Sequence, residues 1–213
     1  MEFKNTLIIG DSYSTFLGFI PRHNAAYYYD NPEPHGLSKV EQTWWHQLIT
    51  ETSSNLVLND SWSGSCICHT GYDGEDCSET SSFVYRLEKY NSQGFFKENH
   101  IDTVFVFGGT NDSWSGAPRG ELKFSDWTKE DLYKVQPATC YLINRLKEIL
   151  PNAEIIWLIN CDISETITEG VKKACEHYGI KYIHFENIDK IDGHPTPMGM
   201  TQIKEQIYGG LDK

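Results

Sequence analysis

Long apolar runs are missing from this sequence: nothing in its 213 residues approaches the ~18 consecutive apolar residues that a membrane-spanning helix needs. Basic residues are few, with 18 Lys and Arg against 30 Asp and Glu and a net charge of -12. Nucleic acid and anionic membranes recruit basic faces, so neither is an expected partner. The N-terminus, Met-Glu-Phe-Lys-Asn, has no basic start, no apolar core and no small-residue cleavage site. A secretory leader has all three. The expectation is a cytoplasmic protein, or a secreted one whose leader has been removed.

Several chemical signatures are absent too. There is no Gly-x-Ser-x-Gly nucleophile elbow, no Gly-x-Gly-x-x-Gly or P-loop to cradle phosphate, and no His-Glu-x-x-His zinc pair. No cofactor and no metal are expected. The six cysteines include no Cys-x2-Cys pair. Cys66, Cys68 and Cys77 match the tail of an epidermal-growth-factor signature in spacing. Such a module needs six cysteines within roughly 40 residues and an oxidising compartment, so the match is rejected. A zinc site from Cys66, Cys68, Cys77 and His69 stays open as a lesser alternative, while Cys140, Cys161 and Cys175 read as small core residues.

What the sequence has is alternation. Apolar runs at Thr6–Ile9, Asn55–Leu58, Asp102–Phe107, Ala153–Ile159 and Lys181–Phe185 read as strands. Helical periodicity covers Glu41–Thr52, Ser81–Asn91, Lys129–Leu150 (with a bend expected at Pro137), Ser164–Tyr178 and Met198–Leu211. Strands alternating with helices specify βαβ units and a parallel sheet. The expected fold class is α/β: a three-layer α/β/α sandwich with a five-stranded parallel sheet in the flavodoxin-like order 2-1-3-4-5. It is expected to form a single domain over residues 1–213. About thirty residues after the first strand carry little periodicity, and long loops in compact domains are usually functional. The hexapeptide Asn-Asp-Ser-Trp-Ser-Gly occurs at 59–64 and again at 111–116, each time after a strand. The two copies read as similar loops at one sheet edge.

Chemistry-bearing residues gather at the carboxyl ends of these strands, the edge where open α/β sheets bind ligands. Ser12 follows the first strand in Gly10-Asp11-Ser12, and Gly64 follows the second. Asn111 follows the third in Gly109-Thr110-Asn111-Asp112, and His194 lies beyond the fifth in Gly193-His194-Pro195. Acyl transfer by a serine needs a nucleophile, a base, a group that orients the base, and donors for the oxyanion. A serine hydroxyl is inert at neutral pH without a base, and His194 sits in a loop able to reach back over the sheet edge. A glycine lets the backbone N–H approach an anion, and an asparagine amide can donate to the same charge.

Gly-Asp-Ser, Gly64, Gly-Thr-Asn-Asp and His-Pro, in that order, resemble the four blocks of the SGNH (GDSL-type) hydrolases, esterases with a serine nucleophile. The resemblance spans Gly10 to Pro195. It implies that Ser12 attacks the ester carbonyl and that His194 serves as base and then acid. The oxyanion would be held by the N–H groups of Ser12 and Gly64 and by the Asn111 side chain. The family's orienting aspartate usually lies three residues before the histidine, a place held here by Ile191. Asp192, two before, is the expected orienter, Asp189 lies five before, and a backbone carbonyl, as in some relatives, is the fallback. The family cleaves many kinds of ester. The aromatic loop residues Tyr13, Tyr27 to Tyr29, Trp62 and Trp114 favour a short-chain O-acyl ester, an acetyl ester, on a small molecule or carbohydrate, with Tyr13, Trp62 and Trp114 as substrate contacts. The alternatives are lysophospholipase or thioesterase activity within the same family, or a non-catalytic flavodoxin-like carbohydrate-binding module.

Overall fold

The computed structural model describes residues 3–31 and 34–211; residues 1, 2, 32, 33, 212 and 213, with Pro32 of the long first loop among them, lie outside that description. Strands β1 (Asn5–Gly10), β2 (Asn55–Ser61), β3 (Thr103–Phe107), β4 (Glu154–Ile159) and β5 (Lys181–His184) form one parallel sheet in the order β2-β1-β3-β4-β5. That is the expected order. Parallel neighbours need crossover connections, supplied by α1 (Trp44–Glu51), α2 (Phe83–Ser92), the short α3 (Phe95–Glu98) and α4 (Thr110–Trp114), α5 (Val135–Ile149) and α6 (Glu165–Tyr178). A two-stranded hairpin, β6 (Lys190–Ile191) with β7 (His194–Pro195), precedes the last helix, α7 (Pro197–Leu211).

Successive side chains of each strand point to opposite faces, and here both faces are buried. Leu7, Ile9, Val104, Val106, Ile155 and Trp157 face a core shared with Phe83, Val84 and Leu87 of α2 and with α5 and α6. Ile8, Phe105, Phe107, Ile156 and Leu158 face a second core with Trp44, Trp45 and Leu48 of α1 and Met200, Ile203 and Ile207 of α7. Burial on both faces explains the near-continuous apolar runs. Helix ends are signalled locally: Ser82 caps α2 by accepting from the Tyr85 amide, and Gly179, in the left-handed region, ends α6.

Three expectations are corrected. The 129–150 stretch is two pieces, a 3-10 turn over Glu130–Tyr133 and then α5, broken at extended Lys134. Pro137 does not bend the helix. It lies in the first turn of α5, where a proline's missing N–H costs nothing. The second correction is the hairpin inside the expected 189–197 loop. The third is the repeated hexapeptide. At 59–61 it completes β2, whereas at 111–114 it lies in α4. Neighbouring structure, not local propensity, decides between them.

No helix among the described residues is long and apolar enough to cross a membrane. All six cysteines are buried and unpaired. Among the described residues no group of three or more His, Cys, Asp or Glu side chains is placed to hold a metal. His69 Nδ1 instead meets Ser82 Oγ at 2.8 Å, and the Cys68 thiol faces the Thr70 carbonyl.

Candidate active site

The register aligns three strand ends: Gly10 of β1 lies opposite Ser61 of β2 on one side and Phe107 of β3 on the other. Ser12 then opens a single 3-10 turn, Ser12–Ser14, capped by the Asp11 carboxylate, which accepts from the Tyr13 amide at 3.0 Å. Asp11 is wholly buried, and burial pushes its carboxyl up to about 7 in spite of that bond. From β2 the chain runs across β1, with the Trp62 amide on the Gly10 carbonyl at 3.1 Å. Gly64 follows with φ +82° and open space where a Cβ would stand. Glycine is needed there for its backbone conformation, not for room.

Asn111 sits in α4. Its amide nitrogen donates to the Ser65 carbonyl at 3.1 Å, and its oxygen accepts from the Tyr72 hydroxyl at 2.9 Å. With the oxygen held, the nitrogen has a second N–H to offer. Buried Asp112 accepts from the Ile67 and Cys68 amides, tying α4 to the chain after Gly64. Burial pushes its carboxyl up to about 6 against those amide bonds.

Beneath these ends lies Arg86 of α2, 2 % exposed. Its Nη1 donates to the Asp60 carboxylate at 2.7 Å and to the Asp60 carbonyl. Nη2 donates to the Gly10 carbonyl and to Ser65 Oγ, and Nε to the Ser81 carbonyl. All five guanidinium donors are thus engaged, and they join the ends of β1 and β2. The sequence signal was an arginine on the inward face of α2 beside Phe83 and Leu87. A buried cation requires a partner.

His194 Nε2 lies 3.0 Å from Ser12 Oγ. Its Nδ1 lies 3.2 Å from the backbone carbonyl of Asp192. Asp192 and Gly193 both have positive φ, 49° and 78°, in a two-residue loop between antiparallel strands. This is the type I′ turn that Asp-Gly favours. It explains the spacing that departed from the family. The expected orienter is corrected accordingly: the turn exposes the Asp192 side chain and aims its carbonyl at the histidine. Asp189 is committed elsewhere, its carboxylate accepting from the Thr196 hydroxyl. An Asp-Gly pair before His-Pro was the signal for this hairpin.

Tyr13, expected as a substrate contact, is 0 % exposed. Its hydroxyl donates to the Gly193 carbonyl, and its ring packs 5.5 Å from that of His194. It holds the hairpin. Trp114 is 42 % exposed, with its ring 5.6 Å from His194. Trp62 is half-buried and packs edge-on against His23. Burial pushes the His194 imidazole down to about 4, aided by nearby His35 and Lys190 and opposed by the Asp192 carbonyl and carboxylate. The ring is therefore neutral at pH 7 and has a lone pair to accept a proton.

A family model of GDSL-like lipases and acylhydrolases matches residues 4–211. The chain belongs to this family. It is an ester-hydrolysing enzyme of the GDSL type. Among solved structures, a candidate GDSL-like lipase from Bacteroides ovatus is 42% identical over 100% of this chain and 99% of its own, with a TM-score of 0.91. Another candidate, from Bacteroides uniformis, is 41% identical over 98% of this chain and 95% of its own, TM-score 0.90. An acetyl xylan esterase from the rumen bacterium Butyrivibrio proteoclasticus shares the fold at 18% identity, covering 99% of this chain and 64% of that one, TM-score 0.62. A comparison with curated proteins gave no match.

Proposed function

We propose that the protein is a serine esterase that removes a short acyl group, acetyl, from a carbohydrate, with Ser12 as nucleophile and His194 as base. The observation that carries this reading is the 3.0 Å contact between His194 Nε2 and Ser12 Oγ. Ser12 Oγ attacks the ester carbonyl carbon as its proton passes to His194 Nε2. The carbonyl oxygen becomes an oxyanion, held by the Ser12 and Gly64 amides and by the free Asn111 N–H. The intermediate collapses, and the sugar alkoxide leaves with the proton from His194. Water, deprotonated by the same nitrogen, then attacks the acyl-enzyme, and Ser12 leaves as the hydroxyl with acetate as product. Fixed donors aimed at a developing oxyanion are usually the largest contribution to such catalysis.

Exposed Trp114 and Tyr72 beside the site support a sugar as the alcohol part. An acetyl xylan esterase among the fold relatives is in keeping with that choice. Two experiments test it. A fluorophosphonate probe should label the wild-type protein and leave Ser12→Ala unlabelled; equal labelling of both would remove Ser12 as nucleophile. A panel from p-nitrophenyl acetate to palmitate, with acetylated xylan and acetylated sialic acid, should show acetyl esters cleaved fastest. A preference for long acyl chains would sink the carbohydrate assignment in favour of a lipase.

A further inference from the structure

In a triad the base is fixed and sheltered by a carboxylate, and among the described residues none is hydrogen-bonded to His194. The groups around the ring show what stands in its place. The Tyr27 ring lies face to face on the imidazole, with centroids 3.5 Å apart and planes 12° from parallel. The Tyr27 hydroxyl meets Nε2 of His35 at 3.0 Å, and His35 is 5 % exposed. The Tyr27 backbone is tied to the nucleophile: its amide donates to Thr15 Oγ1 at 2.9 Å, and Thr15 Oγ1 donates to the Ser12 carbonyl at 3.0 Å. The neighbouring Tyr28 hydroxyl donates to the Pro195 carbonyl at 2.8 Å. One short loop segment therefore registers the histidine's hairpin against the serine's turn and covers the open face of the imidazole.

We infer that Tyr27, tethered by His35, is a positioning residue for His194, fixing the plane of the imidazole and keeping water from its face where a triad would use a carboxylate. This rests on the reading of His194 as the base. In-plane contacts at Nδ1 and Nε2 set the direction of the ring but leave it free to rock about the axis through them. A stacked ring blocks that motion. The same ring removes hydration from the imidazolium, and desolvation favours the neutral form. Its π face has the opposite, weaker influence, since it attracts a cation. The titratable and charged groups facing His194 are Asp192 and Lys190 on its own hairpin, Tyr27, Tyr28 and His35 on the covering loop, and Ser12 and Tyr13 beneath. Of these, Tyr27 alone stacks on the ring in parallel. Burial is the largest influence holding the imidazole low, so opening the face should raise it.

The test is a direct NMR titration of the His194 imidazole in the wild-type protein, Tyr27→Ala, Tyr27→Phe and His35→Asn, with p-nitrophenyl acetate kinetics alongside. Tyr27→Ala should move the His194 midpoint up by about one unit or more, toward the ~6.5 of a free imidazole, and lower kcat at least tenfold with KM changed less. Tyr27→Phe, which keeps the stacked ring, should restore most of both. His35→Asn, which cuts the tether and leaves the ring in place, should shift both in the direction of Tyr27→Ala by a smaller amount, and it carries the test if Tyr27→Ala does not fold. An unchanged midpoint and kcat in Tyr27→Ala, or in His35→Asn where that variant carries the test, would overturn the inference. The titration needs no turnover, and loss of the esterase reading would show separately, as a Ser12 that does not label.

Discussion

Asp192→Asn separates two ways of orienting the base. In the structure His194 Nδ1 meets the Asp192 backbone carbonyl at 3.2 Å, and the Asp192 side chain is exposed. Asparagine keeps that carbonyl. It also accepts the left-handed φ of 49° that the turn imposes, so the hairpin should close unchanged. What the substitution removes is a charge in water. A unit charge about 4 Å from an imidazolium in water is worth ~1 kcal/mol, about fivefold in rate. A carboxylate bonded to the ring is worth far more, ~10⁴-fold in kcat in a serine protease triad. Steady-state hydrolysis of p-nitrophenyl acetate, with thermal melts to check folding, distinguishes these sizes. The expected kcat is within about fivefold of wild type. A loss of a hundredfold or more at unchanged melting temperature would refute the argument and return the role to the carboxylate. Gly193→Ala is the companion variant: with φ 78° and a Cβ 3.1 Å from the Trp114 ring, it disturbs the turn itself and should cost much more activity than Asp192→Asn.

The remaining expectations concern the base, the oxyanion side and the buried cation. His194 must be neutral to accept a proton, so kcat/KM should be lost as pH falls through about 4; an acid limb near the ~6.5 of a free histidine would contradict the burial argument. Tyr72→Phe removes the bond to Asn111 Oδ1 and should lower kcat about fivefold, the ~1 kcal/mol of one hydrogen bond, with KM nearly constant; an unaltered kcat would show the amide is held without it. Arg86→Met strands the buried Asp60 carboxylate and should cost ~3–5 kcal/mol in urea unfolding. Adding Asp60→Asn should recover part of that loss, and a double variant no better than the single would argue against the pair as the cause.

The sheet order was legible because burial on both faces writes each central strand as an apolar run, as in Val104 to Phe107. The positions of Ser12, Gly64 and Asn111 followed from it, since each lies a few residues past a strand end. The hairpin was not legible in the same way. Its strands are two residues each and too short for any periodicity, and only Asp192-Gly193 announces it. The identical hexapeptides at 59–64 and 111–116 mark a firmer limit: one sequence ends a strand and enters a helix, and what differs is Arg86 beneath the first and Gly109 ahead of the second. Tyr13 was misplaced because an aromatic next to the nucleophile reads equally as a sugar contact or as packing. Burial decides it, and burial depends on partners 180 residues away.

The two halves of the site are built differently. Ser12, Gly64 and Asn111, the proposed nucleophile and oxyanion donors, ride on ends of a parallel sheet that Arg86 and Asp112 bind together, so their geometry is that of the core. His194, the proposed base, rides on a hairpin too short to be stable alone. Its rigidity is borrowed: Tyr13 and Tyr28 hold its Gly193 and Pro195 carbonyls, and the Lys190 ammonium fastens β6 to Asn160 and the Cys161 carbonyl, just past the end of β4. Two of these ties come from the connection that follows β1, and the third reaches the end of β4. A histidine held this way needs no carboxylate to set its direction, because the peptide that carries it is already fixed against the turn that carries the serine. Tyr13 and Tyr28 are buried out of reach of solvent, so their substitution should alter kcat through the placement of His194.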